Sequence, residues 1–379
     1  MRLLVLLLLA PLPVTLARQG SPPLVSLGKP DVLPVEFTQV SGLRELSDGR
    51  VLVTDRMDHG VVVAQFGSSS LVKVGRTGRG PQEYRLPGAL GTMPGDSVLL
   101  SDEGNQRLVV IGPDLKIRRA FTLMLPGLGI PMGARGQDSR GRFHMTIPGW
   151  AMAARGQSDD SIPIVRFDPK SPRVDTIARI KGATLIDGVQ RGIPYVPFAP
   201  QDVWALAPDG RVAVARAGDY HIEWYAADGR VTRGPRNVFE ALAVTVEDRR
   251  AYTRRFMESS SISGRNENEG MSALPASMLE ESNVRRVADA NTFAATKPPF
   301  TDAAPFISPE GTFWVERSGR LGDPSTWDVF NGAGQLVGRA RLPPGRRLVG
   351  IGGRSLYLVA TDDDGVQRLE RYGRTTHQL

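Results

Sequence analysis

Leu43 to Asp55 reads LRELSDGRVLVTD, two short apolar runs on either side of an Asp48-Gly49 turn. That is the sequence form of a tight β-hairpin, because glycine supplies the positive φ that such a turn demands. The arrangement returns as ALGTMPGDSVLLSD (Ala89 to Asp102), ARGQDSRGRFHMT (Ala134 to Thr146), VWALAPDGRVAVA (Val203 to Ala215), APFISPEGTFWVE (Ala304 to Glu316) and LVGIGGRSLYLVA (Leu348 to Ala360). Gly49, Gly95 and Gly141 fall 46 residues apart each time, which matches one propeller blade.

A second hairpin follows most of these, as in RLVVIGPDLKIRRAF (Arg107 to Phe121), HIEWYAADGRVTR (His221 to Arg233) and WDVFNGAGQLVGRA (Trp327 to Ala340). Two consecutive hairpins make a four-stranded meander whose two faces are covered by packing against copies of itself around an axis. The expected fold is therefore all-β, a six-bladed β-propeller of four-stranded antiparallel blades over residues 18–379. A largely helical insertion, residues 235–300, separates blades four and five. The sixth unit is one strand short, and Leu24 to Leu27 is expected to supply its outer strand and close the ring.

Composition agrees: of 379 residues, 42 are Gly and 29 are Pro, with aromatics at 7%, a balance that favours short strands and tight turns. Residues 1–17 have the layout of a signal peptide, with Arg2, an apolar run from Leu3 and small residues ending at Ala17. The run is broken by Pro11 and Pro13 and is too short to span a bilayer. A secreted or periplasmic location follows as an expectation. With no cysteine, disulfides, thiolate metal sites and a Cys nucleophile are excluded. The formal charge of +7 is scattered without long runs, which disfavours nucleic acid as partner.

Val74 to Arg119 carries a more specific pattern: Gly75, Gly78 and Gly80 with Tyr84, then Pro87, the Gly95-Asp96 turn, Asp102, and Asn105-Gln106-Arg107. This stretch resembles an NHL-type repeat, and the chain resembles the bacterial six-bladed, NHL-like propellers. The preceding unit keeps Asp55 but has Asp58-His59-Gly60 in place of Asn-x-Arg. The resemblance implies the fold. For function it implies only a range, since related propellers include surface binding modules, lactonases and a peptide-amidating lyase. Asp55, Asp102, Asn105 and Arg107 are read as structural, bonding loop backbone that a turn leaves unpaired.

Departures from a repeat are where function concentrates. In the insertion, Thr245 followed by Asp248 resembles a capping box, and Ala251, Tyr252 and Phe256 fall near one helical face, so a helix is expected from about Val246 to Ser259. A second helical stretch is expected from about Pro275 to Ala288. The other departure, Gly182 to Pro200, carries Tyr195 and Phe198 among prolines. If a pocket exists, these two segments are its expected walls. Trp150 is the tryptophan set apart from the predicted strands; Trp204, Trp224, Trp314 and Trp327 fall within them. Trp150, Tyr195, Phe198 and Tyr252 are the candidate binding residues.

No catalytic signature is present: no GxSxG elbow, no GK[ST] ending after GRTGRG, and four histidines without ligand spacing. No cofactor is expected. Asp362 and Asp364 in TDDDGVQR faintly resemble a calcium loop, but a hairpin turn is needed there. The leading reading is a monomeric binding or scaffold module for a protein, peptide or glycan. The alternative is a channel-metal hydrolase or lyase, which would need Asp, Glu and Asn from several blades.

Overall fold

The structure, a computed structural model, describes residues 22–153, 161–171, 173–186, 193–263 and 279–374. The expected signal peptide, residues 1–17, lies outside the described residues. The chain opens with β1 (Leu27–Phe37) and then makes a meander of β2 (Val40–Glu45), β3 (Val51–Asp55), β4 (Gly60–Ala64) and β5 (Leu71–Lys73). A two-stranded parallel ribbon, β6 (Arg76–Thr77) with β7 (Glu83–Tyr84), leads to β8 (Pro87–Thr92), β9 (Val98–Asp102), β10 (Arg107–Ile111) and β11 (Ile117–Phe121). Next come β12 (Gly136–Gln137), β13 (Phe143–Thr146), the short helix α1 (Gly149–Ala153), β14 (Ser161–Phe167) and β15 (Val174–Lys181). A further sheet holds β16 (Val203–Leu206), β17 (Val212–Arg216), β18 (His221–Tyr225) and β19 (Val231–Arg233). Helices α2 (Val246–Ser263) and α3 (Glu281–Ala290) precede β20 (Phe306–Ile307), β21 (Phe313–Glu316), β22 (Thr326–Phe330) and β23 (Leu336–Arg341). The chain ends on β24 (Arg346–Ile351), β25 (Ser355–Thr361) and β26 (Gln367–Arg374).

The fold is all-β with a propeller-like arrangement of small sheets. Four sheets have four strands, while β8–β11 and β12–β15 are joined into one of eight strands. The joint is a single parallel pairing, Gly136 with Thr92. Glycine permits it: a Cβ on Gly136 would lie 2.4 Å from the Thr92 carbonyl oxygen, and one on Gly91 would lie 2.7 Å from that of Arg135.

Consecutive meanders share apolar clusters, which is how two-faced sheets of β-branched residues such as VLVTD and GVVVA are buried. Val61, Val63 and Tyr84 meet Val98, Leu100 and Val109. Further round, Trp224 and Ile222 meet Phe313 and Phe330. Leu33, Phe37, Tyr357, Val359 and Leu369 from the last sheet meet Val51 and Val53 from the first, so the ring closes. Trp204, Trp224, Trp314 and Trp327 are all buried in strands.

Closure uses an N-terminal strand, but not the one expected. β1 pairs antiparallel with β26 over Leu27–Phe37, with Asp31 opposite Arg371 and Phe37 opposite Gln367. Leu24 instead bridges Arg339 in parallel, and the Val25 N–H donates to the Arg339 carbonyl at 2.8 Å. Pro30 and Pro34 obscure a strand in the sequence; both are tolerated because this is an outer edge, with a register irregularity between Val32 and Glu36.

The expected capping box is present: the Asp248 N–H donates to Thr245 Oγ1 at 3.1 Å and the Thr245 N–H to Asp248 Oδ2 at 3.0 Å. The helix it starts runs to Ser263, past the expected Ser259. The second helix, Glu281–Ala290, runs two residues past the expected Ala288, and its expected start at Pro275 lies outside the described residues.

Candidate functional site

The first strands of successive meanders touch one another around the axis, β24 with β2, β2 with β8, β8 with β12, β16 with β20 and β20 with β24, while Leu206 of β16 reaches Gly136 of β12. Because neighbouring strands are antiparallel, each outer-to-inner connection emerges on the same face as the turn between second and third strands. The described parts of the 182–202 connection and of the α2–α3 insertion therefore share a face with the 317–325 turn.

Backbone hydrogen bonds stitch the first two together. The Ala294 N–H donates to the Pro197 carbonyl at 3.1 Å and the Ile193 N–H to Asn291 Oδ1 at 3.1 Å. Aromatic side chains then fill the seam. Phe198 stands edge-on to Tyr252 at 5.3 Å between centroids, Phe293 packs on both, and Tyr195 meets Phe256 at 6.4 Å. The Tyr252 hydroxyl donates to the Tyr195 hydroxyl at 2.9 Å. Burial, and then that neighbouring hydroxyl, push the Tyr252 pKa well up. Phe198 adopts φ 62°, a left-handed conformation that bulky residues rarely hold.

These side chains wall a cavity of about 820 Å³, closed on the far side by Phe300–Ala303 and the 316–326 turn. Lys297 stands at its base, buried, with Nζ donating to Asp248 Oδ1 at 2.7 Å and to the Gly319 carbonyl at 2.8 Å, and lying over the Phe198 ring. Burial alone would raise the Asp248 pKa, but Lys297 and the Thr245 donors outweigh it and hold the carboxyl below its usual range. Asp248 thus caps a helix and anchors a lysine from the other end of the insertion.

The opposite wall rests on Asp328, fully buried in β22 between Arg317 Nη1 at 2.7 Å and Arg339 Nε at 2.7 Å, with the Tyr220 hydroxyl also donating to it. Burial and the facing carboxylate push the Tyr220 hydroxyl well up, so it stays a donor. Glu316 accepts from Thr301 Oγ1 at 3.0 Å and from Ser325 Oγ at 2.5 Å. Arg255 and Arg341, both exposed, line the cavity without an ion-pair partner among the described residues. The pocket so built offers aromatic faces on one side, with Arg255 beside Tyr252 on α2, and the Arg341 guanidinium on the other.

Three of the four sequence candidates, Tyr195, Phe198 and Tyr252, come together here. Trp150 sits in α1, is not among the lining residues, and its side chain lies outside the described residues. Lys297, Asp328 and Arg339 were missed. The available signal was an acid in the middle of an apolar strand, Trp327-Asp328-Val329, since a buried carboxylate demands cationic partners.

The repeat residues lie in other sheets. Asp102 accepts from the Arg85 N–H at 2.9 Å, Asn105 Nδ2 at 2.7 Å and Arg107 Nε at 2.9 Å, while Arg107 Nη2 donates to the Gly80 and Glu83 carbonyls. Asp55 accepts from the backbone N–H groups of Thr38, Gln39, Met57 and Asp58. Asp362 closes a turn, accepting from the Val366 N–H at 2.9 Å and pairing with Arg368. Among the described residues no group of three or more His, Asp or Glu is placed to share a metal ion. No helix among them is long and apolar enough to cross a membrane.

The fold defines the class as a β-propeller-type protein. No family model matches the chain, and no curated protein matches it. Solved structures do. A protein from Bacteroides fragilis assigned as exported is 12% identical, covering 95% of this chain and 98% of that one at a TM-score of 0.50. A DUF4221 family member from Bacteroides vulgatus is 9% identical over 93% and 98%, at 0.48. A gluconolactonase from Xanthomonas campestris is 11% identical over 95% and 99%, at 0.46. At these identities the likeness is one of fold alone.

Proposed function

We propose that the chain is an exported, six-bladed propeller that acts as a binding module, taking its ligand in the cavity between the 182–202 connection and the helical insertion. The count of six treats the eight-stranded sheet as two blades in edge contact; one pairing, Gly136 with Thr92, is all that joins its halves. The observation that carries the binding reading is the cavity itself. At about 820 Å³ it falls within the range of small-molecule sites. Its aromatic wall is assembled from two segments that interrupt the repeat. Aromatic rings in the company of arginines suit a ligand with a flat or apolar body and an acidic group, as in an acidic peptide or glycan.

Anilinonaphthalene sulfonate, which has both features, is the probe. Saturable one-to-one fluorescence enhancement is expected for the native protein, weakened by at least about tenfold in Tyr252→Ala and Phe198→Ala variants that keep the native circular dichroism. Equal titrations in all three proteins would remove the cavity as the site.

A further inference from the structure

Three arginines on inner strands reach forward, each to the inner strand of the next meander. Arg44 in β2 donates from Nη2 to the carbonyls of Met93 at 3.2 Å and Gly95 at 2.8 Å, just past β8. Arg347 in β24 donates from Nη2 to the Val40 carbonyl at 3.0 Å, at the start of β2. Arg135, immediately before β12, lies over the Trp204 ring of β16 at 5.3 Å. Since the inner strands touch around the axis, side chains that run from one to the next border the axial channel.

Arg135 and Arg347 are exposed to water, and Arg44 is half-buried. Yet desolvation by surrounding protein is the largest influence on all three guanidinium groups, pulling their pKa values down. Each side chain thus leans on the neighbouring inner strand while part of it stays open to water. The acids that act on them do so at a distance: Asp96 on Arg44, Glu316 on Arg347, and none on Arg135. A guanidinium has five N–H donors. Arg135 spends none of them on a hydrogen bond to the described residues, and Arg44 and Arg347 use one nitrogen each.

The arginines are staggered along the axis. Leu46, Asp138 and Gly352 each open the turn that ends an inner strand, and the arginines precede them by two, three and five residues respectively. The register irregularity of β24 between Leu348 and Gly350 takes up one of the last five, so at about 3.3 Å per paired residue the three levels span roughly 7 Å.

We propose that the axial channel is an anion site, in which Arg44, Arg135 and Arg347 hold an elongated ligand bearing several carboxylate or phosphate groups. Planar guanidinium groups grip either oxyanion through paired N–H donors, and a site hemmed in by protein strengthens that grip. None of the three arginines lines the aromatic cavity, although Glu316, which does, also acts on Arg347.

Titration calorimetry with sodium tripolyphosphate and, in parallel, with citrate tests it, at an ionic strength held constant with sodium chloride. One-to-one binding is expected, weakened by at least about tenfold in Arg135→Gln/Arg347→Gln and unchanged in Tyr252→Ala. The tighter of the two probes identifies the oxyanion. Arg135→Lys, which keeps the charge without the planar fork, is the second variant and is expected to weaken binding severalfold even if the double variant does not fold. No heat beyond the chloride control, or undiminished affinity in Arg135→Lys, overturns the proposal.

Discussion

His144 in β13 is fully buried, with Nδ1 3.2 Å from the Arg142 carbonyl and Nε2 without a partner. A carbonyl only accepts, so the ring proton sits on Nδ1. Burial pulls the pKa down to about 4, more than Asp138 at 3.9 Å from Nε2 can offset. The unfolded chain takes up this proton near the ordinary histidine value of 6.5. Between there and about 4 the unfolded state binds more protons, so stability falls as pH falls through that window. A His144→Gln variant is expected to lose much of the slope of melting temperature against pH between about 6.5 and 4. A slope equal to the native one would assign it to other groups. What could be read at this scale was local: Asp102, Asn105 and Arg107 stand close in sequence and meet in space. Asp328 with Arg317 and Arg339 also lies within one hairpin region, but Tyr220 is over a hundred residues away, and Lys297 meets Asp248 across the whole insertion. Such partners are chosen by the fold, and no short spacing announces them.

Elements were legible wherever their signals were local. The Asp-Gly and related turns marked the hairpins, and Thr245 with Asp248 marked the start of α2. β1 was misplaced because its two prolines and its partner β26, at the other end of the chain, leave no local trace of pairing. The joint between β8 and β12 was also invisible, because it depends on two glycines that face backbone across a meander boundary. Gly136→Ala tests that joint. Its Cβ would meet the Thr92 carbonyl at 2.4 Å and the Thr92 nitrogen at 2.9 Å, distances that only a backbone shift can relieve. A loss of about 2–3 kcal/mol is expected by chemical denaturation. A change under about 0.5 kcal/mol would mean that the two inner strands part without cost.

For the whole molecule, the repeat revealed that blades exist, while the closing contact had to be seen. Leu33 and Phe37 are buried against the first and last sheets alike, and β1 covers the outer edge of β26, with Asp31 paired to Arg371 at 2.7 Å. A chain beginning at Thr38 keeps every other strand but exposes that edge and a strip of core. It is expected to melt well below the native protein and to associate, as seen by light scattering. A monomeric, equally stable product would show that β1 is dispensable. The consequence extends to timing. Val40 is tied through its N–H to Gln367 at 2.8 Å, and β1 finds its partner only after more than three hundred further residues have been made. During synthesis the leading strand must wait, unmatched and with Leu33 and Phe37 uncovered, until the trailing one arrives. Maturation of this ring is therefore a late, slow, all-chain event, and any factor that shields residues 27–37 in the interval would raise its yield.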